Sequence, residues 1–185
     1  MDTSANQSAS FSQPVSPLLH IGRLPSSPIG PMWIAVSALG LVAIDWDMSR
    51  AEFAGSLERR FPARVVYDET RTSLPLRQLS EYLAGVRRQF TLPIDFTGMS
   101  PFQVDVLRLT AEIPYGQTTT YKALATKLGN PRAARAVGRV EATNPIPLVI
   151  PCHRVLGSDG GLHGYGGPGG IKLKAWLLEL EKAYL

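Results

Sequence analysis

Between Thr120 and Ala142 the chain carries helix signals so closely spaced that two short helices must meet across a tight turn. Thr120 is placed to cap a helix reaching Leu128, and Gly129 closes it. Asn130-Pro131 then opens a second helix running from Arg132 to about Ala142. Two short helices joined by a glycine-containing turn form a helix-turn-helix pattern. On the second helix Arg132, Arg135 and Arg139 lie within about 60° of one another at 3.6 residues per turn. Ala133, Ala136, Val137 and Val140 occupy the opposing face. A basic stripe on an isolated helix is ordinarily a solvated face; on a helix-turn-helix it points to DNA contact.

Charge supports that placement. The net charge of +4 is too small to announce a nucleic-acid partner by itself. From Ile113 to Arg154, however, six basic residues face one acid, Glu141, a local balance of +5. This basic segment leads into Cys152, the single cysteine, which is followed directly by His153. One cysteine excludes an internal disulfide, a CxxC redox pair and a cysteine-built zinc cage. The thiol is then either a small buried hydrophobe or a nucleophile with a base beside it.

The rest of the chain reads as two units behind a tail. Residues 1–25, rich in Ser, Ala, Gln and Pro, read as flexible. Residues 26–92 read as a small α/β scaffold domain with an antiparallel or mixed sheet. Its strands are Trp33–Val36 and Leu41–Ile44, joined around Ala38-Leu39-Gly40, and a short one at Val65–Tyr67. Ser49 caps a helix carrying Phe53, Leu57 and Phe61, and a second helix carries Leu76, Leu79, Tyr82 and Leu83. A linker at 91–98 leads to a mostly α domain over 93–185. That domain opens on the capping pattern Ser100-Pro101-Phe102-Gln103, whose helix turns Phe102, Val106, Leu109 and Ile113 toward a second core. Its final helix, about Lys172 to Tyr184, is expected to bury Leu173, Trp176, Leu177, Leu180 and Tyr184, with Glu181 at the flank. No run of about 18 apolar residues exists and no export signal opens the chain, so no membrane partner and a cytoplasmic location are expected.

Eight glycines fall among the fourteen positions Gly157–Gly170, and Gly164–Gly169 even satisfies G-x-G-x-x-G. A dinucleotide site is excluded, because sixteen residues after Gly169 cannot complete a βαβ unit. The better reading is a loop whose backbone lies close against the chain or a flat ligand such as a base.

In order along the chain stand Ile113-Pro114-Tyr115-Gly116, Thr120-Tyr121, Ala133-Ala134-Arg135-Ala136-Val137-Gly138, Asn144-Pro145, Pro151-Cys152-His153-Arg154-Val155 and Tyr165. This ordered set resembles the O6-alkylguanine-DNA alkyltransferases, also called methylated-DNA–protein-cysteine methyltransferases. The resemblance is strong over about residues 95–185 and looser before. It implies a winged-helix-like C-terminal domain and stoichiometric, irreversible alkyl transfer from O6-alkylguanine, and from O4-alkylthymine, in double-stranded DNA to Cys152. It implies that His153, through a water, takes the thiol proton and that Glu181 orients His153. Tyr121 would assist base extrusion and protonate the leaving guanine, and Asn144 would fix the turn before the active-site strand. Arg135 would enter the duplex, with Thr120, Arg132, Ala133, Ala134 and Arg139 along the DNA and Tyr165, Val155, Gly166 and Pro147 around the substrate. No cofactor is implied, since the protein is the acceptor, and the zinc site of some relatives is not carried over because its cysteines are missing. A monomer is expected. One departure stands out: Gly166 follows the pocket tyrosine where the family often has a hydroxyl residue. Two other classes compete. A protein that binds alkylated DNA without repairing it would lack the cysteine, and a Cys–His peptidase would need a histidine distant in sequence.

Overall fold

The computed structural model describes residues 17–167 and 169–182. Its first half is a four-stranded sheet in the order β3-β2-β1-β4. The strands are β1 (Leu18–Leu24), β2 (Met32–Val36), β3 (Leu41–Trp46) and β4 (Arg64–Tyr67). β1 pairs antiparallel with β2 and parallel with β4, while β2 and β3 are antiparallel. Helix α1 (Arg50–Arg60) crosses between β3 and β4, and α2 (Glu69–Leu83) follows β4. Ser49 and Glu52 form the reciprocal capping box that starts α1, with bonds of 3.2 and 2.7 Å.

β1 corrects the reading of residues 1–25 as a flexible tail. Residues 1–16 lie outside the described residues, but Leu18–Leu24 is a central strand. The burial of Leu19 and Ile21 is what a polar, Ser/Pro-rich neighbourhood concealed.

Every residue of β2 is buried, because both faces of the sheet are covered. Trp33 and Ala35 turn toward Phe53 and Leu57 of α1 and form one cluster. Met32, Ile34 and Val36 turn the other way, as strand alternation requires. That second cluster does not stop at the domain boundary. It continues through Leu79 and Tyr82 of α2 into Val106, Leu124, Val137, Ile150 and Leu177. The separate second core expected for the C-terminal half is therefore shared: the sheet's second face is the floor on which the C-terminal helices pack. The segment read as a linker is also tied down. Leu41 N–H donates to the Pro93 carbonyl at 2.9 Å and Asp95 N–H to the Leu41 carbonyl at 3.0 Å. Gly40 permits this approach, since a Cβ there would lie 2.4 Å from the Pro93 oxygen at a φ of 150°.

The second half comprises α3 (Pro101–Ala111), β5 (Thr119–Thr120), α4 (Tyr121–Lys127), a 3₁₀ turn (Pro131–Ala133) and α5 (Ala134–Ala142). A second 3₁₀ turn (Cys152–Arg154), β6 (Val155–Leu156) and α6 (Gly170–Lys182) complete it. β5 and β6 pair in parallel, fastening the helix-turn-helix to the cysteine turn. Thr120 caps α4 as expected, accepting from Ala123 N–H at 3.0 Å.

Several packing expectations are revised. Phe102 is exposed, since the first turn of α3 reaches past the core that Val106 enters. Ala136 is exposed, and the buried face of α5 carries Glu141 with Val137 and Val140. On α6, Trp176 is exposed while Leu173, Lys174, Leu177 and Glu181 are buried; Tyr184 lies outside the described residues. The helix is rotated so that two ionisable side chains face inward, a choice that hydrophobic periodicity cannot anticipate. Among the described residues no helix is long and apolar enough to cross a membrane.

Candidate active site

Cys152 begins a single 3₁₀ turn whose three side chains are all buried. The chain reaches this turn through a loop pinned by Asn144. Its side-chain amide donates to the Ile150 carbonyl at 2.9 Å, and its side-chain oxygen accepts from Ile146 N–H at 3.0 Å. Asn144 thus spans both ends of the segment that delivers the thiol.

His153 is fully buried, and its Nε2 faces Glu181 Oε1 at 2.9 Å. A carboxylate only accepts, so Nε2 carries the proton and donates, leaving Nδ1 as the proton acceptor. Burial lowers the His153 pKa below its ordinary value, against the opposing pull of Glu181, so the ring is neutral at pH 7. Glu181 is held by more than the histidine. Arg154 Nε donates to Oε1 and Oε2 at 3.1 and 3.0 Å, and its Nη2 donates to Oε1 at 2.8 Å. Tyr82 O–H donates to Oε1 at 2.7 Å, and Gly116 N–H donates to Oε2 at 3.0 Å. Burial alone would raise the Glu181 pKa, but the bonds and charges of His153 and Arg154 outweigh it and hold it well below the carboxylate range. Arg154 also donates to the Ile113 carbonyl. Counted above with the basic segment, it is an interior ion-pair partner rather than a surface charge.

Cys152 opens onto a cavity of about 390 Å³, within the size range of small-molecule sites. Its wall includes Tyr121, Arg135, Glu141, Tyr165 and Gly166. Arg135 is exposed at the edge of α5, with Arg132 exposed one turn earlier and Arg139 exposed one turn later. Gly166 supports the close-backbone reading of the glycine-rich loop: a Cβ there would lie 2.2 Å from the Ala142 carbonyl oxygen. Burial, and then the charge of Glu141, push the Cys152 thiol up to about 12, with Asn144 pulling the other way. The thiol is therefore stored protonated, with far below one per cent thiolate at neutral pH. Burial also raises the Tyr121 phenol, keeping it a proton donor.

Cys152, His153, Glu181 and Asn144 converge, and Tyr121, Ala134, Arg135, Tyr165 and Gly166 line the cavity. Two expected pocket residues do not. Val155, the first residue of β6, is in the core, and Pro147 lines an adjoining cavity, between β3, α1 and the Asn144 loop, whose wall Cys152, Glu141 and Gly166 share. Val155 turns inward where β6 pairs with β5. Ala133 is half-buried against the core, and Thr120 acts in the structure as a helix cap. Sequence reasoning missed Tyr82, Gly116, Lys174 and Thr110. Lys174 is fully buried, with Nζ donating to the carbonyls of Val155 and Leu162 at 2.6 and 2.7 Å. Its position one turn before Leu177 gave no signal, since a lysine at helical spacing reads as solvent-facing.

Comparison with known proteins matches this geometry. Residues 101–183 match the DNA-binding domain of 6-O-methylguanine DNA methyltransferase, and residues 22–96 match the ribonuclease-like domain of the same family. The methylated-DNA–protein-cysteine methyltransferase of Methanosarcina barkeri is 40% identical over 156 residues, covering 84% of this chain and 93% of that protein. The Mycobacterium leprae protein of the same name is 39% identical, covering 86% and 91%. The crystal structure of Mycobacterium tuberculosis O6-methylguanine methyltransferase superposes with a TM-score of 0.75 at 36% identity, covering 90% and 94%. A structure of the Mycobacterium tuberculosis protein in complex with DNA superposes with a TM-score of 0.73, also at 36% identity, covering 89% and 94%. With both domain types matched in order and a buried Cys-His-Glu arrangement at their junction, the chain belongs to the 6-O-methylguanine DNA methyltransferase family.

Proposed function

We infer that this protein repairs O6-alkylguanine in duplex DNA by moving the alkyl group irreversibly onto Cys152. O4-alkylthymine is a second substrate of the same chemistry. One observation carries the reading: a lone, buried cysteine at the wall of a cavity edged by an exposed arginine, with a neutral histidine and an ionised glutamate behind it. The protein acts in the cytoplasm as a monomer.

Guanine O6 inside a duplex cannot be approached in line by a protein thiol, so the nucleotide must be extruded. Arg135 fills the space it leaves, while Arg132, Arg139 and the small side chains Ala133 and Ala134 let α5 lie against the DNA backbone. Backbone contacts position without reading sequence, which suits repair at any locus. In the cavity the thiol proton passes toward His153 Nδ1 through a water, and Glu181 stabilises the imidazolium. The Cys152 Sγ–carbon bond forms as the carbon–O6 bond breaks, and Tyr121 supplies the proton to the departing guanine. A thioether offers no ready leaving group, so each molecule acts once. The bond network behind Glu181 lets a thiol with a pKa near 12 react: the base is preset, and the proton moves only when an alkyl carbon is in place.

Incubation with an O6-methylguanine duplex, followed by intact-mass measurement, should show one added methyl on Cys152 and restored guanine. Methyl transfer surviving in Cys152→Ala would overturn the reading.

A further inference from the structure

Glu141 is a buried acid that the transfer mechanism does not use. It lies on the inner face of α5, is 4% exposed, and lines the same cavity as Cys152 and Tyr121. Its Oε2 has no hydrogen-bond partner among the described residues. Its Oε1 lies 2.6 Å from Thr110 Oγ1, which is also 2.9 Å from the Val106 carbonyl oxygen. A threonine hydroxyl has one proton and faces two acceptors here. Both contacts are satisfied together only if Thr110 donates to Val106 and the Glu141 carboxyl brings its own proton. Burial first, with Thr110 and Lys174 opposing, holds the Glu141 pKa at about 7.

The surroundings give that proton a consequence. Glu141 faces Tyr121 from α4, Lys174 from α6, Cys152 from the 3₁₀ turn and Tyr165 from the glycine-rich loop, with Arg135, Lys122 and His163 on the same cavity. Lys174 is engaged by two carbonyls and so is only a partial counter-charge. Once ionised, Glu141 sets a negative charge beside a thiol that must itself become negative.

We propose that Glu141 is a positioning residue that gates Cys152: the neutral carboxyl permits thiolate formation, and its ionisation holds the thiol back. The inference rests on the alkyl-transfer reading of Cys152. It predicts that the rise of transfer with pH becomes shallower around pH 7, where Glu141 ionises, than it is with a neutral side chain at that position.

The test compares rate constants for methyl transfer from an O6-methylguanine duplex, from about pH 6 to pH 9, in wild type and Glu141→Gln. A like charge removed from beside the thiol leaves about tenfold more thiolate of lower nucleophilicity, a net gain of about three- to fourfold. Glu141→Gln should therefore match wild type at the acid end, exceed it by about that factor at the alkaline end, and lose the inflection near pH 7. The same profile with the free base O6-benzylguanine removes DNA binding from the comparison, and His163→Asn controls for the histidine at the cavity mouth. Parallel profiles for wild type and Glu141→Gln would overturn the gate. Absence of transfer from wild type at every pH would instead overturn the alkyl-transfer reading. Should Glu141→Gln fold poorly, Thr110→Val, which strips the Oε1 contact but keeps the charge, should move the wild-type inflection to a different pH, and an unmoved profile counts against the gate.

Discussion

Replacing Glu181 by glutamine probes the part of the site that holds the two domains together. Glu181 is fully buried and collects donors from His153, Arg154, Tyr82 and Gly116. Glutamine keeps the shape but loses the charge, and turns an N–H₂ group toward donors that need an acceptor. Breaking a buried ion pair from one side leaves the other charge uncompensated, at a cost of about 3–5 kcal/mol. For a chain of 185 residues each kcal/mol moves Tm by about 2–4 °C, so a fall of about 6–20 °C is expected. Thermal melting at neutral pH measures it. Arg154→Met with Glu181→Leu closes a double-mutant cycle, and the double variant should lose clearly less than the two single losses added together, because no buried charge is then left alone. The pH dependence has a definite sign. Glu181 has a lower pKa folded than unfolded, so its contribution is complete above the ordinary carboxylate range and drains away as pH falls through it. Wild type should lose stability in acid more steeply than Glu181→Gln. A variant melting within about 2 °C of wild type at neutral pH, or strictly additive losses in the cycle, would refute the reasoning.

Gly166→Ala places a methyl 2.2 Å from the Ala142 carbonyl oxygen, where backbone must shift. Such overpacking costs about 1–3 kcal/mol, and the loop can yield only by reshaping the cavity wall; transfer should slow by tenfold or more, and an unchanged rate would show that the loop is not held against α5. Arg135→Ala should slow repair of a duplex by about tenfold while leaving reaction with free O6-benzylguanine unaltered, because only the duplex requires extrusion. Equal losses on both substrates would mean that Arg135 serves the cavity itself.

Much of the catalytic constellation was legible as residue types. Cys152, His153, Arg135 and the caps at Ser49, Ser100 and Thr120 depend on local signals: short-range spacing, a capping hydroxyl, a lone thiol beside an imidazole; Tyr121 came only with the family resemblance. What was not legible depends on long-range contact. β1 went unread because His20 and the adjacent Gly22-Arg23 break its apolar run without clean alternation and a Ser/Pro-rich stretch precedes it, yet pairing on both sides makes it central. Arg154 read as one more surface cation, and only a glutamate 27 positions later makes it an interior one. Val155 came to the substrate only through the family resemblance, and its burial in β6 takes it off the wall of the cavity edged by Arg135.

The sequence by itself determined the two-part α/β and helical architecture, the helix-turn-helix and a single thiol, because each follows from periodicity, punctuation or a count. Only the tertiary structure decided how that nucleophile is kept. A sheet face shared by both halves, an α6 rotated to bury Glu181 and Lys174, and Glu141 turned inward beside the thiol create a low-dielectric pocket. Burial, the term that most strongly sets the ionisation of Cys152, His153 and Glu141, is a property of what packs against a residue and is not carried by the residue's own neighbours in the chain.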